Sequence, residues 1–97
     1  MHVRLNSKVY SDLESAMGYY FQEAGNQIAT EFYSEFTRCR RIIAERPRSF
    51  PVVRAEIRRI NFHRFPCHVL YKITDETSVR ILAVKHDQRD PDFGLDR

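Results

Sequence analysis

Two stretches with helical periodicity meet at Gly25 without a linker between them, and this juncture limits the folds that the chain can adopt. The first stretch places apolar residues on one helical face at intervals of four, three and four: Leu13, Met17, Tyr20 and Ala24. The second continues the pattern for more than four turns: Ile28, Phe32, Phe36, Cys39 and Ile43. Glycine followed by Asn26 is a stop and restart signal, and the second helix must end before Pro47. The sequence therefore predicts an antiparallel helix hairpin.

The periodicity changes from helical to extended after the loop that contains Pro47 and Pro51. Segments rich in β-branched and aromatic residues predict three strands: 53–62, 67–73 and 78–84. Residues 2–5 alternate and predict a short first strand. The turns between the last three strands are short, which permits only antiparallel neighbours. We therefore predict a single α+β domain over residues 1–97, with a short N-terminal strand, an antiparallel helix hairpin and a three-stranded antiparallel meander.

Composition argues against several classes of protein. No apolar run approaches the roughly 20 residues of a membrane-spanning helix, and the N-terminus lacks the apolar segment of a secretory signal. Two cysteines, Cys39 and Cys67, make no disulfide framework. Cys39 lies in the middle of a helical apolar stripe, which favours a buried small hydrophobe over a reactive thiol. We expect a cytoplasmic protein with no membrane partner.

Metal binding is the first chemistry to test, because the segment HRFPCH gathers His63, Cys67 and His68. Adjacent residues of a strand point to opposite faces, so Cys67 and His68 should diverge. His63 and Cys67 would lie on the order of 13 Å apart in an extended chain. The sequence also supports no nucleophile with an adjacent base, and its three glycines form no phosphate-cradling loop. We therefore expect neither a metal nor a cofactor.

Arginine dominates the middle of the chain, where residues 38–64 hold nine arginines against Glu45 and Glu56. Arg58 and Arg59 are consecutive on a predicted strand, so their side chains should face opposite sides of the sheet. Other basic residues would join them if the last strand lies alongside: Arg64, His86 and Arg89. Such a cluster suits an anionic counterpart, either a phosphate backbone or the carboxylates of a protein partner.

Two other interpretations of these arginines remain open. They could pair with the aspartates of the C-terminal segment, which are Asp87, Asp90, Asp92 and Asp96. Alternatively, the basic segment could belong to a stand-alone nucleic-acid-binding module, whose affinity would depend steeply on salt.

Residues 56–73, EIRRINFHRFPCHVLYKI, and residues 81–97, ILAVKHDQRDPDFGLDR, together resemble the C-terminal half of the RelE/ParE superfamily. The shared features are a strand with paired arginines, an Arg-Phe-Pro segment before the next strand and a final strand followed by Arg-Asp-Pro. Members of this superfamily are the toxins of bacterial type II toxin–antitoxin pairs, including plasmid stabilisation systems. The resemblance implies a cognate antitoxin that wraps the toxin with a helix and an extended segment, the helix lying in a groove of the helix hairpin. A homo-oligomer and a toxin–antitoxin hetero-oligomer are both compatible with it.

One branch of the superfamily cleaves messenger RNA on the ribosome, and several of its functional positions are altered here. Arg59 matches the first basic position, but Asn61 occupies the second, and His68 stands where an arginine is expected. The arginine of the charged tail that follows the last strand is retained as Arg89. Phe93 occupies the tyrosine position and cannot transfer a proton. If the chain were a ribonuclease, its catalytic residues would be Arg59, His68, His86 and Arg89, with a histidine as acid or base.

The other branch is ParE-like, and some of its members poison DNA gyrase by binding it. The tail of this chain resembles that branch, although Cys67 replaces a frequent aromatic residue and Phe93 stands where many relatives carry tryptophan. The resemblance favours a gyrase-directed binder over a ribosome-dependent nuclease. The expected target-binding residues are Arg58, Arg59, Arg64, His86, Arg89, Phe93 and Arg97. We expect Asp87 and Asp90 to fix Arg89, Phe93 to anchor the tail, and Arg97 to fray unless it is held against the sheet.

Overall fold

The computed structural model describes residues 1–97 and has the predicted α+β architecture, with one sheet and two helices. In chain order the elements are β1 (His2–Leu5), α1 (Lys8–Ala24), α2 (Asn26–Glu45), β2 (Val52–Arg54), β3 (Ile57–Asn61), β4 (Cys67–Ile73) and β5 (Ser78–His86). The sheet has the order β1-β5-β4-β3-β2. Strands β3, β4 and β5 are antiparallel neighbours, which confirms the predicted meander.

The helix hairpin turns at Gly25, as the sequence predicts. Its φ of 89° lies in the left-handed region that glycine adopts without a steric penalty, and its N–H donates to the carbonyl oxygen of Phe21 at 2.9 Å. The apolar stripes of both helices pack against one face of the sheet, the helix face. The buried residues of this layer include Val9, Leu13, Phe32, Phe36, Cys39 and Ile43. Burial raises the pKa of the Cys39 thiol to about 11, so the expectation of a core cysteine holds.

The prediction of a single strand over residues 53–62 is wrong. Ala55 has a φ of 52°, a left-handed conformation that interrupts the extended chain and turns it back on itself. The result is two antiparallel strands, β2 and β3, with an irregular register between Val52 and Arg54. β2 is a short edge strand, a form that limits unwanted pairing with other chains.

The sheet is mixed, because β1 pairs in parallel with β5. The sequence predicted β1 but not its partner. The helix hairpin carries the chain away from β1, and the meander then returns β5 beside it, with Leu5 opposite Ile81. A parallel pair needs a long crossover connection of this kind.

A β-bulge in β5 decides which side chains reach the face opposite the helices. Leu70 pairs with Ala83, but Tyr71 pairs with Ile81, so Leu82 is an extra residue. Leu82 and Ala83 both pack with Leu70 on this second face, which we call the tail face. The alternation of side chains is thereby shifted by one residue. Beyond the bulge Lys85, opposite His68, projects to the tail face.

The loop between β3 and β4 is held against α2 by Glu35. Its Oε1 accepts the N–H groups of His63 and Arg64 at 2.7 and 3.3 Å, and its Oε2 accepts Nε–H of Arg38 at 2.7 Å. Burial acts to raise the pKa of Glu35, but these bonds from Arg38 and His63 outweigh it and hold the pKa below its ordinary value. Neither helix combines the length and apolar character needed to cross a membrane.

Candidate functional site

Residues 87–97, the tail, fold back over the end of the sheet because Lys85 binds their backbone. Lys85 is only 9% exposed, and its Nζ donates to the carbonyl oxygens of Asp90, Pro91 and Phe93 at 3.1, 3.2 and 3.1 Å. Burial lowers the pKa of this ammonium group, while the charge of Asp90 acts in the opposite direction. A buried cation must satisfy its donors, and here all three bonds go to one segment. Lys85 therefore sets the conformation of the tail.

The last residue is a second anchor of the tail. Arg97 donates through Nη1 to Oδ2 of Asp12 at 2.5 Å and through Nη2 to Oδ1 at 3.1 Å, in a bidentate pair with α1. Its Nη1 also donates to the carbonyl oxygen of Leu82 at 3.1 Å. Both side chains are largely buried, at 9% and 6% exposure. Arg97 is therefore held rather than frayed, which is the exception that the sequence analysis allowed for.

Asp12 also completes the edge of the sheet. β1 ends at Leu5, so the edge of β5 opposite β4 has no partner strand at Val84. The N–H of Val84 instead donates to Oδ2 of Asp12 at 3.0 Å. One carboxylate thus satisfies a strand N–H and a buried guanidinium group, as buried polar groups require.

The ring of Phe93 lies beneath two guanidinium groups. The Cζ atoms of Arg89 and Arg97 lie 4.1 and 4.7 Å from its centroid, within the range of cation–π attraction. Phe93 is half-buried, while Arg89 is exposed and takes part in none of the ion pairs of the chain. Phe93 therefore packs against the guanidinium group of Arg97, and the exposed guanidinium group of Arg89 also stacks on its ring.

The expectation that Asp87 and Asp90 fix Arg89 is wrong. Oδ1 of Asp87 instead lies 3.2 Å from Nη2 of Arg59 and 2.8 Å from Nδ1 of His68. Oδ1 of Asp90 accepts the N–H of Asp92 at 2.9 Å, which shapes a turn of the tail. Asp87 is bound to side chains of the sheet, and Asp90 is bound to the backbone of the tail. The guanidinium group of Arg89 is therefore left without a carboxylate partner.

A polar pocket of about 330 Å³ opens on the tail face above the meander. Arg59, His68, Asp87 and Arg89 are among its lining residues. His68 is only 2% exposed. Burial lowers its pKa, whereas the hydrogen bond with Asp87 acts to raise it. Nε of Arg59 donates to Oδ1 of Asn61 at 2.7 Å, so this guanidinium group is shared between two acceptors.

A larger groove of about 850 Å³ lies between α1 and the end of β5; we call it the α1 groove. Its walls combine aromatic and basic side chains, among them Tyr19, Tyr20, His86, Arg89, Phe93 and Arg97. Arg89 lines both the polar pocket and the α1 groove. It therefore stands on the ridge that joins the two concave surfaces.

Five of the seven expected target-binding residues line these two concave surfaces, and two do not; His68, expected only for a ribonuclease, lines the polar pocket. Arg59 and Arg89 line the polar pocket, and His86, Arg89, Phe93 and Arg97 line the α1 groove. Arg58 points to the opposite face, as the alternation predicted, and its Nη1 donates to the carbonyl oxygen of Phe50 at 2.7 Å. Arg64 lies against α2, with Nη1 3.1 Å from Oε2 of Glu31. We therefore remove Arg58 and Arg64 from the candidate surface.

Sequence reasoning missed Asp12 and Lys85. If side chains alternated regularly along β5 from Val79, Lys85 would lie on the helix face. The bulge shifts the alternation by one residue and places Lys85 on the tail face instead. Asp12 looks like an ordinary polar residue at the start of a helix, and nothing in the sequence links it to Arg97, 85 positions later. No group of three or more His, Cys, Asp or Glu side chains is arranged to hold a metal ion.

Comparison with known proteins gives concordant results. Residues 3–91 match the sequence model of the family described as ParE toxin of type II toxin-antitoxin system, parDE. The chain is 30% identical over 89 residues to Toxin ParE2 of two strains of Mycobacterium tuberculosis, covering 92% of this chain and 84% of that protein. Its fold is similar to a chain of the chromosomal ParDE TA system from P. aeruginosa, with a TM-score of 0.78 and 15% identity over 89% of this chain and 95% of that one.

Proposed function

This chain belongs to the ParE toxin family of type II toxin–antitoxin systems, and from that premise we propose that it arrests growth in the cytoplasm by binding and poisoning DNA gyrase. We further propose that a cognate antitoxin neutralises it. The observation that carries the first proposal is Arg89, an exposed guanidinium group without a carboxylate partner, stacked on Phe93 at the ridge between two concave surfaces. Arginine and aromatic residues are enriched among the side chains that dominate binding energies at protein interfaces.

The tail that carries Arg89 is pre-organised for binding. Lys85 holds three of its carbonyl oxygens, and Asp12 holds its last residue, so little backbone freedom remains to be lost when a partner binds. An unpaired guanidinium group also avoids the cost of breaking an existing ion pair before it binds a new carboxylate or phosphate. These features support a rigid recognition surface.

Binding without chemistry accords better with these side chains than messenger RNA cleavage does. A general acid or base must come within hydrogen-bond reach of the substrate. His68 is buried and already bound to Asp87, and Phe93 has no hydroxyl group. His86 is exposed and lines the α1 groove with Arg89, so the ribonuclease alternative depends on this one histidine.

The α1 groove is the surface that we propose for the antitoxin. Its aromatic lining suits an amphipathic helix, which would place apolar residues against Tyr19, Tyr20 and Phe93. Lys8 and Arg89 lie at the same groove and would favour acidic residues on the partner. An antitoxin helix seated there would cover Arg89, and neutralisation would follow from direct competition with the target.

The test is a DNA cleavage assay with purified gyrase, plasmid DNA and ATP. We expect the wild-type protein to make gyrase accumulate cleaved, protein-linked DNA, which detergent traps and which appears as linear plasmid after protease digests the gyrase. We expect the cognate antitoxin to suppress it. In cells, expression should induce the DNA damage response while leaving messages intact. Primer extension that reveals cuts at codon positions within translated regions, together with inactivity towards gyrase, would overturn the gyrase proposal in favour of the ribonuclease.

A further inference from the structure

We infer that Asp12 of α1 is a positioning residue for Arg89 and acts through Arg97 and Phe93. The inference rests on the proposed role of Arg89 as the target-binding arginine. It assigns to the first helix a part in orienting an arginine that the tail carries, and it names a residue that lies 77 positions from the one it positions.

The first link joins α1 to the end of the tail. Both terminal nitrogens of Arg97, Nη1 and Nη2, bind the carboxylate of Asp12, and the carbonyl oxygen of Leu82 accepts a further bond from Nη1. A bidentate pair fixes the plane of the guanidinium group as well as its position. Because the pair is largely buried, removal of the carboxylate charge leaves an unpaired buried cation, which must move towards water.

The second link joins Arg97 to Arg89 through one aromatic ring. The Cζ of Arg97 lies 4.7 Å from the centroid of Phe93, and the Cζ of Arg89 lies 4.1 Å from the same centroid. The ring therefore packs on a group that Asp12 holds still. A shift of Arg97 removes one support of the ring and changes the surface on which Arg89 rests.

Arg89 has no other side-chain restraint. Its backbone N–H donates to the carbonyl oxygen of His86 at 3.0 Å, but its guanidinium group takes part in no ion pair and in no hydrogen bond within the chain. The direction of this long side chain is consequently set by the ring of Phe93. The chain of contacts from Asp12 is the means by which the fold orients it.

The test compares Asp12→Asn with Asp12→Glu. Asparagine keeps an oxygen that can accept the N–H of Val84 but loses the charge that holds Arg97, whereas glutamate retains the charge. Glu14→Gln is the matched control, since it removes one negative charge from an exposed position of the same helix. The two measurements are the concentration needed for gyrase-linked cleavage and the NMR shift of the Arg89 Nε–H, which the ring current of Phe93 displaces.

We expect Asp12→Asn to raise the required toxin concentration about tenfold or more, which corresponds to about 1.4 kcal/mol. We also expect it to move the Arg89 Nε–H towards its position in Phe93→Leu. Asp12→Glu should retain a substantial part of both properties, and Glu14→Gln should match the wild type. If Asp12→Asn does not fold, Arg97→Lys replaces it, because lysine keeps the charge but loses the planar bidentate group.

Asp12→Asn or Arg97→Lys with wild-type potency and a wild-type Arg89 shift would overturn the positioning role. A wild-type protein without effect on gyrase would instead count against the proposed function. In that case growth arrest and the Arg89 shift still decide the role of Asp12, because neither depends on which target is bound.

Discussion

Nη2 of Arg59 lies 3.2 Å from Oδ1 of Asp87, so the first residue of the tail is paired with a basic residue of the central sheet. The same oxygen lies 2.8 Å from Nδ1 of His68. Asp87 thus neutralises the arginine nearest to it and gives a buried histidine its partner. Arg89, two residues later, is left without a carboxylate, and this division of roles distinguishes a structural arginine from an exposed one.

Replacement of Arg89 by alanine should abolish growth inhibition with little effect on folding. The side chain is exposed and loses only a cation–π contact, which contributes about 0.5–1 kcal/mol at such sites. Growth after induction, the melting temperature and the affinity for antitoxin are the measurements. Arg80→Ala, at an exposed position of β5 outside the tail, is the control and should remain toxic. An Arg89→Ala protein that is soluble and fully toxic would place the effector surface elsewhere.

Replacement of Arg59 by alanine should reduce both stability and toxicity. Its guanidinium group bonds Asp87 and Asn61 and is partly shielded from water, so we expect a loss of about 1–2 kcal/mol in the free energy of unfolding. Chemical denaturation measures this loss, and growth assays follow toxicity. Arg89→Ala is the natural comparison. Equal stability of the two variants would show that the pair with Asp87 contributes nothing to the fold.

Stability should fall below neutral pH because of His68. Burial holds the pKa of His68 in the folded protein below its ordinary value of 6.5, so the unfolded chain binds a proton at a higher pH than the folded chain does. The stabilisation by neutral His68 is complete above pH 6.5 and is lost as the pH falls through the folded pKa.

The corresponding measurement is urea denaturation of the wild type and of His68→Gln between about pH 7.5 and about pH 5.5. The wild type should lose more stability over this range than the variant, since glutamine keeps a donor for Asp87 but does not titrate. Parallel losses in both proteins would assign the pH dependence to other groups.

Replacement of Gly94 by alanine should displace the tail. Gly94 has a φ of 84°, and a Cβ added there would lie 2.6 Å from Cβ of Ala83. Backbone strain and this contact together should cost about 1–3 kcal/mol, and toxicity should fall because the tail lifts from the sheet. Gly18→Ala, in the exposed middle of α1 with open space around it, should instead stabilise by about 0.5–1 kcal/mol. The melting temperature and the toxicity of both variants are measured. A Gly94→Ala protein as stable and as toxic as Gly18→Ala would contradict the prediction.

Local sequence patterns suffice to predict the helix hairpin, the three-stranded meander and the α+β class. These features depend on local periodicity and on short connections, and both can be read without knowledge of distant contacts. The opposite directions of Arg58 and Arg59 followed from the same alternation. The division of residues 53–62 into two strands did not, because it depends on a left-handed conformation at Ala55, a residue without a turn signal of its own.

The candidate surface is assembled by contacts between residues that are distant in the sequence. Because of the bulge at Leu82, Lys85 projects to the tail face instead of the helix face. Its side chain there donates to three carbonyl oxygens of the tail. The bond between Asp12 and Arg97 joins residues 85 positions apart. Such contacts form only when the sheet, α1 and the tail pack together. That packing removes the charged groups from water, and each buried charge then needs a partner within the protein.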